Sequence, residues 1–242
     1  MKKIVVGLIF SIFCGLNLFA GDYELGIEAY KKGDFTKAIE LYEKSCKDGF
    51  TSACNNLGTM YEKGIGIKQD YFKAKDLYTK SCNDGITLSC SNLGTLYVNG
   101  NGVKQDYSKA IDLYIKSCDK WDFNSCYNLG NIYYRGDGVK QDYFKANELF
   151  KKSCDGGIIE SCNNLANSYC YGKGVRQDYL KANELFEKAC NGGDGASCYN
   201  LAFSYKNGEG VGRDIIKAKE LYKKACNLGL QEGCNSYGFL NR

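Results

Sequence analysis

The sequence contains no histidine and no proline among its 242 residues. Without histidine, neither a serine–histidine–aspartate triad nor a cysteine nucleophile with a histidine base can be assembled. The usual nitrogen ligands of a metal site are missing as well, and no two cysteines have the CxxC spacing of a zinc site. We therefore expect no metal and no other cofactor. Without proline, no turn of the chain is stiffened by a fixed backbone φ.

The sequence also lacks any block of lysine or arginine. It carries 32 basic and 28 acidic side chains, which gives a formal net charge of +4. Nucleic-acid binding depends on a concentrated positive field that displaces phosphate counterions. The charge pattern therefore predicts no nucleic-acid partner.

The one extended apolar run lies near the N-terminus, at residues 4–16. Lys2 and Lys3 precede it and the small residue Ala20 follows it, which is the arrangement of a secretory signal peptide. The run is too short to span a bilayer, although an uncleaved membrane anchor stays open as an alternative. We predict a signal peptide at residues 1–20 and a mature chain that is secreted or periplasmic, without membrane attachment after cleavage.

Cysteine is abundant, and twelve of the fourteen cysteines form pairs with seven residues between the partners. Successive pairs lie 36 residues apart, and a strict period of this length is the signature of a solenoid. In an exported chain such pairs predict structural disulfides rather than redox or metal chemistry. The predicted disulfides are Cys46–Cys54, Cys82–Cys90, Cys118–Cys126, Cys154–Cys162, Cys190–Cys198 and Cys226–Cys234.

Each 36-residue unit has the pattern of a helical hairpin. In the unit between Cys54 and Cys82, a helix ends at the Gly64-x-Gly66 turn, and Asp70 is placed to cap the next helix. Tyr71, Ala74, Leu77 and Tyr78 give that second helix one apolar stripe. We predict a capping hairpin at residues 21–49, five repeats at 50–230 and a capping helix at 231–242.

The pattern G-x-G-[VI]-x-x-D, followed by A-x-x-[LY]-[YF]-x-K and C-x7-C, resembles Sel-1-like repeats. The version with one disulfide per repeat is similar to the Helicobacter cysteine-rich protein family. This resemblance covers residues 22–242 and implies an all-α, right-handed solenoid superhelix of disulfide-linked hairpins. It also implies two different functions, which are the binding of peptides or host partners and a β-lactamase or penicillin-binding activity.

Asparagine recurs at one position in the first helix of five successive units. The chain also resembles tetratricopeptide arrays, in which the first helices line a concave groove, and a row of amides there can pair with an extended peptide backbone. Aromatic side chains nearby would add contact area. The alternative is that each asparagine only satisfies local groups. The predicted groove residues are Asn56, Asn92, Asn128, Asn164, Asn200, Tyr127, Tyr134, Tyr171, Tyr199 and Phe203.

We predict that this groove binds a peptide or protein from the host or the cell envelope. The rival hypothesis is hydrolysis of a β-lactam, or binding of a β-lactam or peptidoglycan-like molecule. The lone SxxK sequence, Ser117 to Lys120, runs off a helix end through Cys118, and the other serine β-lactamase motifs are absent. No catalytic residue is therefore assigned. A cell-envelope scaffold is the third hypothesis.

Cys170 has no partner in the cysteine pattern and is predicted to be a free thiol at the edge of the groove. Three roles are open for it: a buried and inert side chain, a cross-link between two chains, or a reactive thiol.

Overall fold

A computed structural model describes residues 21–241, and the predicted signal peptide at residues 1–20 lies outside this range. The described residues form helices and turns, with no strand, so the all-α prediction is confirmed. The chain divides into two compact units between Lys120 and Trp121, here called the N-terminal and C-terminal units.

The N-terminal unit begins with helix α1, whose described part covers residues 21–31. Its other helices are α2 (Phe35–Lys47), α3 (Thr51–Lys63), α4 (Tyr71–Asn83), α5 (Thr87–Asn99) and α6 (Tyr107–Cys118). Consecutive helices pack against each other, and α3 with α4 and α5 with α6 form the hairpins predicted from the sequence.

The C-terminal unit repeats the same arrangement. Its helices are α7 (Phe123–Arg135), α8 (Tyr143–Asp155), α9 (Ile159–Tyr171), α10 (Tyr179–Asn191), α11 (Gly195–Asn207), α12 (Ile215–Asn227) and α13 (Gln231–Phe239). The hairpins are α7 with α8, α9 with α10 and α11 with α12, whereas α13 packs mainly on α12.

Aspartate caps begin the second helix of each repeat. The Asp70 carboxylate accepts hydrogen bonds from the backbone amides of Phe72 and Lys73, both at 3.0 Å. Asp106, Asp142, Asp178 and Asp214 each accept one such bond, from the backbone amide three residues further on. These caps satisfy amides that a helix start leaves unpaired, so they set where each second helix begins.

The paired glycines of each turn have two separate functions. Gly172 and Gly174 both adopt positive φ, near +66° and +69°, where a side chain is strained. The second glycine also packs against the preceding repeat, since a Cβ on Gly174 would lie 2.5 Å from the backbone carbon of Tyr143. The first function depends on the local turn geometry at a helix end, whereas the second depends on packing between repeats.

The disulfides join the end of each second helix to the start of the next first helix, as predicted. Five bridges have Cα–Cα distances of 4.5–4.8 Å, within the usual range of roughly 4.4–6.8 Å. Cys118 and Cys126 are disulfide-bonded as well. Trp121 occupies the turn position that is glycine in the other bridged turns, and it too has positive φ, at 66°.

Candidate functional site

The five predicted asparagines are all half-buried on the first helices of the hairpins. Three of them donate to side chains of a neighbouring repeat: Asn56 to the Tyr23 hydroxyl at 3.4 Å, Asn92 to Asn55 at 3.3 Å and Asn164 to Asn131 at 3.3 Å. Asn128 and Asn200 make no side-chain hydrogen bond to any residue in the range 21–241. Three of the five predicted amides are therefore engaged within the protein, whereas those of Asn128 and Asn200 have no side-chain partner among the described residues.

The predicted aromatic residues divide in a similar way. Tyr127 and Tyr134 lie with their ring centroids 6.2 and 6.1 Å from the buried ring of Phe150, and Tyr199 lies 5.2 Å from Tyr222. These three rings cover the core and are half-buried. Tyr171 and Phe203 are 71% and 43% exposed. Only these two present a large open apolar surface.

A cleft of about 210 Å³ in the C-terminal unit brings four of the predicted residues together. Cys170 and Tyr171 come from the last turn of α9, and Asn200 and Phe203 come from α11. The remaining lining residues are Asn167, Tyr179, Phe186, Ser204 and Glu209. Among the predicted residues, Asn56, Asn92, Asn128, Asn164, Tyr127, Tyr134 and Tyr199 do not line this cleft.

Glu209 is the one acidic residue among those that line the cleft, and it is not among the residues predicted from the sequence. It lies between the paired glycines Gly208 and Gly210, in the turn that joins α11 to α12. The side-chain amide of Asn183, which is only 4% exposed, donates to the Glu209 carbonyl oxygen at 2.7 Å and holds the turn against α10. The middle residue of the glycine pair is Ile65, Asn101, Asp137, Lys173 and Glu209 in successive repeats, so the sequence alone does not single out this acid.

Cys170 is half-buried at the cleft and is not in a disulfide. Burial raises the pKa of its thiol to about 11, and the nearby Glu209 carboxylate adds to the rise. A thiol with so high a pKa is almost entirely protonated at neutral pH. Of the three roles left open by the sequence, this environment favours an inert side chain.

Ser117, the serine of the SxxK sequence, is fully buried. Its hydroxyl donates to the Thr87 carbonyl at 3.2 Å, and Ser81 and Ser153 make the same bond to Thr51 and Phe123, both at 2.8 Å. This serine therefore has a packing function that recurs from repeat to repeat. Its hydroxyl is not accessible to a substrate.

The Sel1 repeat family matches this chain at residues 18–50, 51–86, 87–120, 124–158, 159–194 and 195–230. The chain belongs to the Sel1 repeat family. Repeats of this family stack into scaffolds suited to binding other proteins. Structural disulfides persist outside the reducing cytosol, so this Sel1 protein is extracytoplasmic. Within residues 21–241, no helix combines the length and the apolar character needed to cross a membrane.

Two Helicobacter pylori proteins are similar to parts of this chain. "Putative beta-lactamase HcpE" of strain J99 is 36% identical over 70 residues, which are 27% of this chain and 20% of that protein. "Putative beta-lactamase HcpD" of strain 26695 is 38% identical over 47 residues, which are 19% of this chain and 15% of that protein. The matched segments thus span a fifth or less of these relatives.

Two solved Sel1 structures resemble nearly the whole chain. The protective antigen c5321 of uropathogenic Escherichia coli has a TM-score of 0.88 and 29% identity, covering 92% of this chain and 48% of its own. A Sel1 repeat protein from Oxalobacter formigenes has a TM-score of 0.81 and 26% identity, covering 87% of this chain and 86% of its own. These likenesses support the solenoid fold.

Proposed function

We propose that this Sel1 protein binds an extended peptide segment of a partner protein across the first helices of its C-terminal unit. The observation that carries the proposal is the pair of unengaged amides, Asn128 and Asn200, in a row where the other asparagines are already bonded. An amide that both donates and accepts can pair with a peptide backbone whatever the peptide's side chains. Exposed Tyr171 and Phe203 beside Asn200 supply apolar contact area.

Fluorescence anisotropy with a library of labelled extended peptides tests this proposal. For peptides that bind, Asn128→Ala with Asn200→Ala should weaken binding about tenfold, because two hydrogen bonds of roughly 0.5–1.5 kcal/mol each are lost. Asn227→Ala is the matched control, since this exposed asparagine lies at the end of the second helix α12. Equal affinity of the double variant and the control would refute the role of the row.

Export of the chain through a signal peptide is the second part of the proposal. It is supported by the basic and apolar N-terminal sequence together with the disulfides. Intact-mass analysis of protein recovered from the medium and the periplasm should find a chain that starts at Gly21. A full-length chain retained in the membrane fraction would instead favour the uncleaved anchor.

β-Lactam hydrolysis is the second candidate function, favoured by the names of the Helicobacter pylori relatives. The buried Ser117 is a poor nucleophile, so we expect hydrolysis of the chromogenic substrate nitrocefin to stay at the uncatalysed rate. Turnover that persists in the Ser117→Ala variant and after repurification would establish an enzyme with a different nucleophile. It would also displace peptide binding as the principal function.

A further inference from the structure

The position that corresponds to the Cys170 cleft one repeat earlier, at Tyr134, is occupied by the side chain of Lys173. There, the Lys173 ammonium donates to the Tyr134 hydroxyl at 3.0 Å. It also lies 5.2 Å from the ring centroid of Tyr134 and 5.6 Å from that of Tyr143, which are cation–π distances. The geometry of this repeat is therefore suited to a cation between two aromatic rings.

In the following repeat, two of the three residues that form this contact are replaced. Tyr134 corresponds to Cys170, Lys173 corresponds to Glu209, and Tyr143 corresponds to Tyr179. The change from tyrosine to cysteine removes a ring, and the change from lysine to glutamate reverses the charge. The space that Tyr134 and Lys173 occupy in one repeat is thus the open cleft of about 210 Å³ in the next.

Glu209 has no internal partner for its charge. No residue within 21–241 forms an ion pair or side-chain hydrogen bond with its carboxylate, although the residue is half-buried. Its backbone is fixed on both sides, because its N–H donates to the Ser204 carbonyl at 3.0 Å and its carbonyl accepts from Asn183. An unpaired carboxylate fixed beside exposed aromatic rings attracts a cation. It disfavours an apolar ligand, because such a ligand would bury the negative charge without a partner.

We propose that this cleft binds the basic side chain, arginine or lysine, of the peptide that lies across the first helices. The cation pairs with the Glu209 carboxylate and rests against the rings of Tyr171, Tyr179 or Phe203, as Lys173 rests against Tyr134 and Tyr143 one repeat earlier. The inference rests on the proposed peptide-binding function and adds a preference for basic residues to it.

Isothermal titration of the mature chain with two capped peptides tests the preference. One peptide has arginine at the centre of an alanine pentamer, and the other has citrulline, which keeps the shape of arginine without its charge. Arginine should bind about tenfold more tightly, since only arginine carries the positive charge that pairs with the carboxylate and interacts with the aromatic rings. Glu209→Gln should remove this difference, whereas Glu187→Gln, on exposed α10 surface, should keep it.

A second variant tests the cleft without relying on the loss of one charge. Cys170→Tyr combined with Glu209→Lys copies the residues of the preceding repeat, whose packing the chain already accommodates. This variant should fold as the parent does and lose arginine binding. Arginine binding that persists in this variant would overturn the proposal, and so would equal binding of the arginine and citrulline peptides, or no binding of either, by the parent chain.

The two proposals fail separately in these experiments. One outcome is that the parent chain binds both peptides equally, with binding that still weakens in the Asn128→Ala, Asn200→Ala variant. That result would reject the preference for a basic residue and keep the peptide-binding role of the asparagines. A preference for arginine that depends on Glu209 but not on the asparagines would support the basic subsite. It would reject the peptide-binding role of Asn128 and Asn200.

Discussion

The hydroxyl oxygens of Ser81 and Ser89 lie 2.9 Å apart, directly beside the Cys82–Cys90 disulfide. Ser153 and Ser161 make the same contact at 2.8 Å beside Cys154–Cys162. In the first bridged turn the partner is missing, because Ala53 stands where Ser89 stands one repeat later. Ser45 is accordingly buried with a hydroxyl that has no partner within the described residues.

Restoring this pair should stabilise the first turn. Ala53→Ser gives the Ser45 hydroxyl a partner, and we expect a gain of about 1 kcal/mol in the free energy of unfolding. The gain should disappear in the Ser45→Ala background, since only the pair makes the hydrogen bond. Urea unfolding of the four proteins of this double-mutant cycle measures the coupling energy. A coupling near zero would show that the added hydroxyl does not reach Ser45.

The disulfides should differ in how much they stabilise the folded protein. Cys82→Ala with Cys90→Ala opens a short loop within the stack, and the chain-entropy relation gives a cost of about 2.5 kcal/mol. Cys226→Ala with Cys234→Ala releases only α13, which packs mainly on α12. Thermal unfolding should therefore shift less for the terminal pair, while hydrogen exchange in α13 accelerates. Equal shifts in unfolding temperature would contradict this ranking.

Two glycines with positive φ separate backbone strain from steric contact between repeats. Gly157 has φ of +94°, and no atom lies within 4 Å of a Cβ added there. Gly157→Ala should therefore lower the free energy of unfolding only by the roughly 1–2 kcal/mol that the left-handed conformation costs an alanine. Gly174→Ala adds a clash with the Tyr143 backbone and should cost about 1–3 kcal/mol more. Urea denaturation measures both variants, and equal losses would indicate that the repeats separate easily at this turn.

Cys170 should react slowly with thiol reagents in the folded protein. With a pKa of about 11, roughly one thiol in a thousand is ionised at pH 8, against about a quarter of an unperturbed cysteine. The greater nucleophilicity of the more basic thiolate offsets about tenfold of this loss, which leaves a net slowing of about twentyfold. Alkylation of the native chain, compared with the chain unfolded under non-reducing conditions, gives this ratio.

The same raised pKa predicts how the reaction depends on pH. The native rate should rise about tenfold per pH unit until it levels off near pH 11, because ionisation is disfavoured below that value. Glu209→Gln should accelerate the reaction modestly, since the carboxylate opposes the thiolate charge, while burial remains. A native rate equal to the unfolded rate at pH 8 would contradict the buried position of Cys170.

Much of the fold could be predicted because its determinants lie close together in the sequence. Asp70 caps a helix through amides two and three residues away, and Cys82 bonds to a cysteine eight residues away. A 36-residue period then repeats these short-range contacts through the chain. The amino-acid sequence alone was therefore enough to predict the hairpins, the aspartate caps and the cysteine pairs.

The candidate site depends on contacts between residues 26 to 39 positions apart. The sequence treats Asn164 and Asn200 as equivalent, yet packing bonds the first to Asn131 and leaves the second open. Lys173 reaches Tyr134 across 39 residues, and its counterpart Glu209 has no such partner. Which side chains meet is decided by how neighbouring helices pack, so only the tertiary structure placed Lys173 against Tyr134 and brought Cys170 and Glu209 together at one cleft.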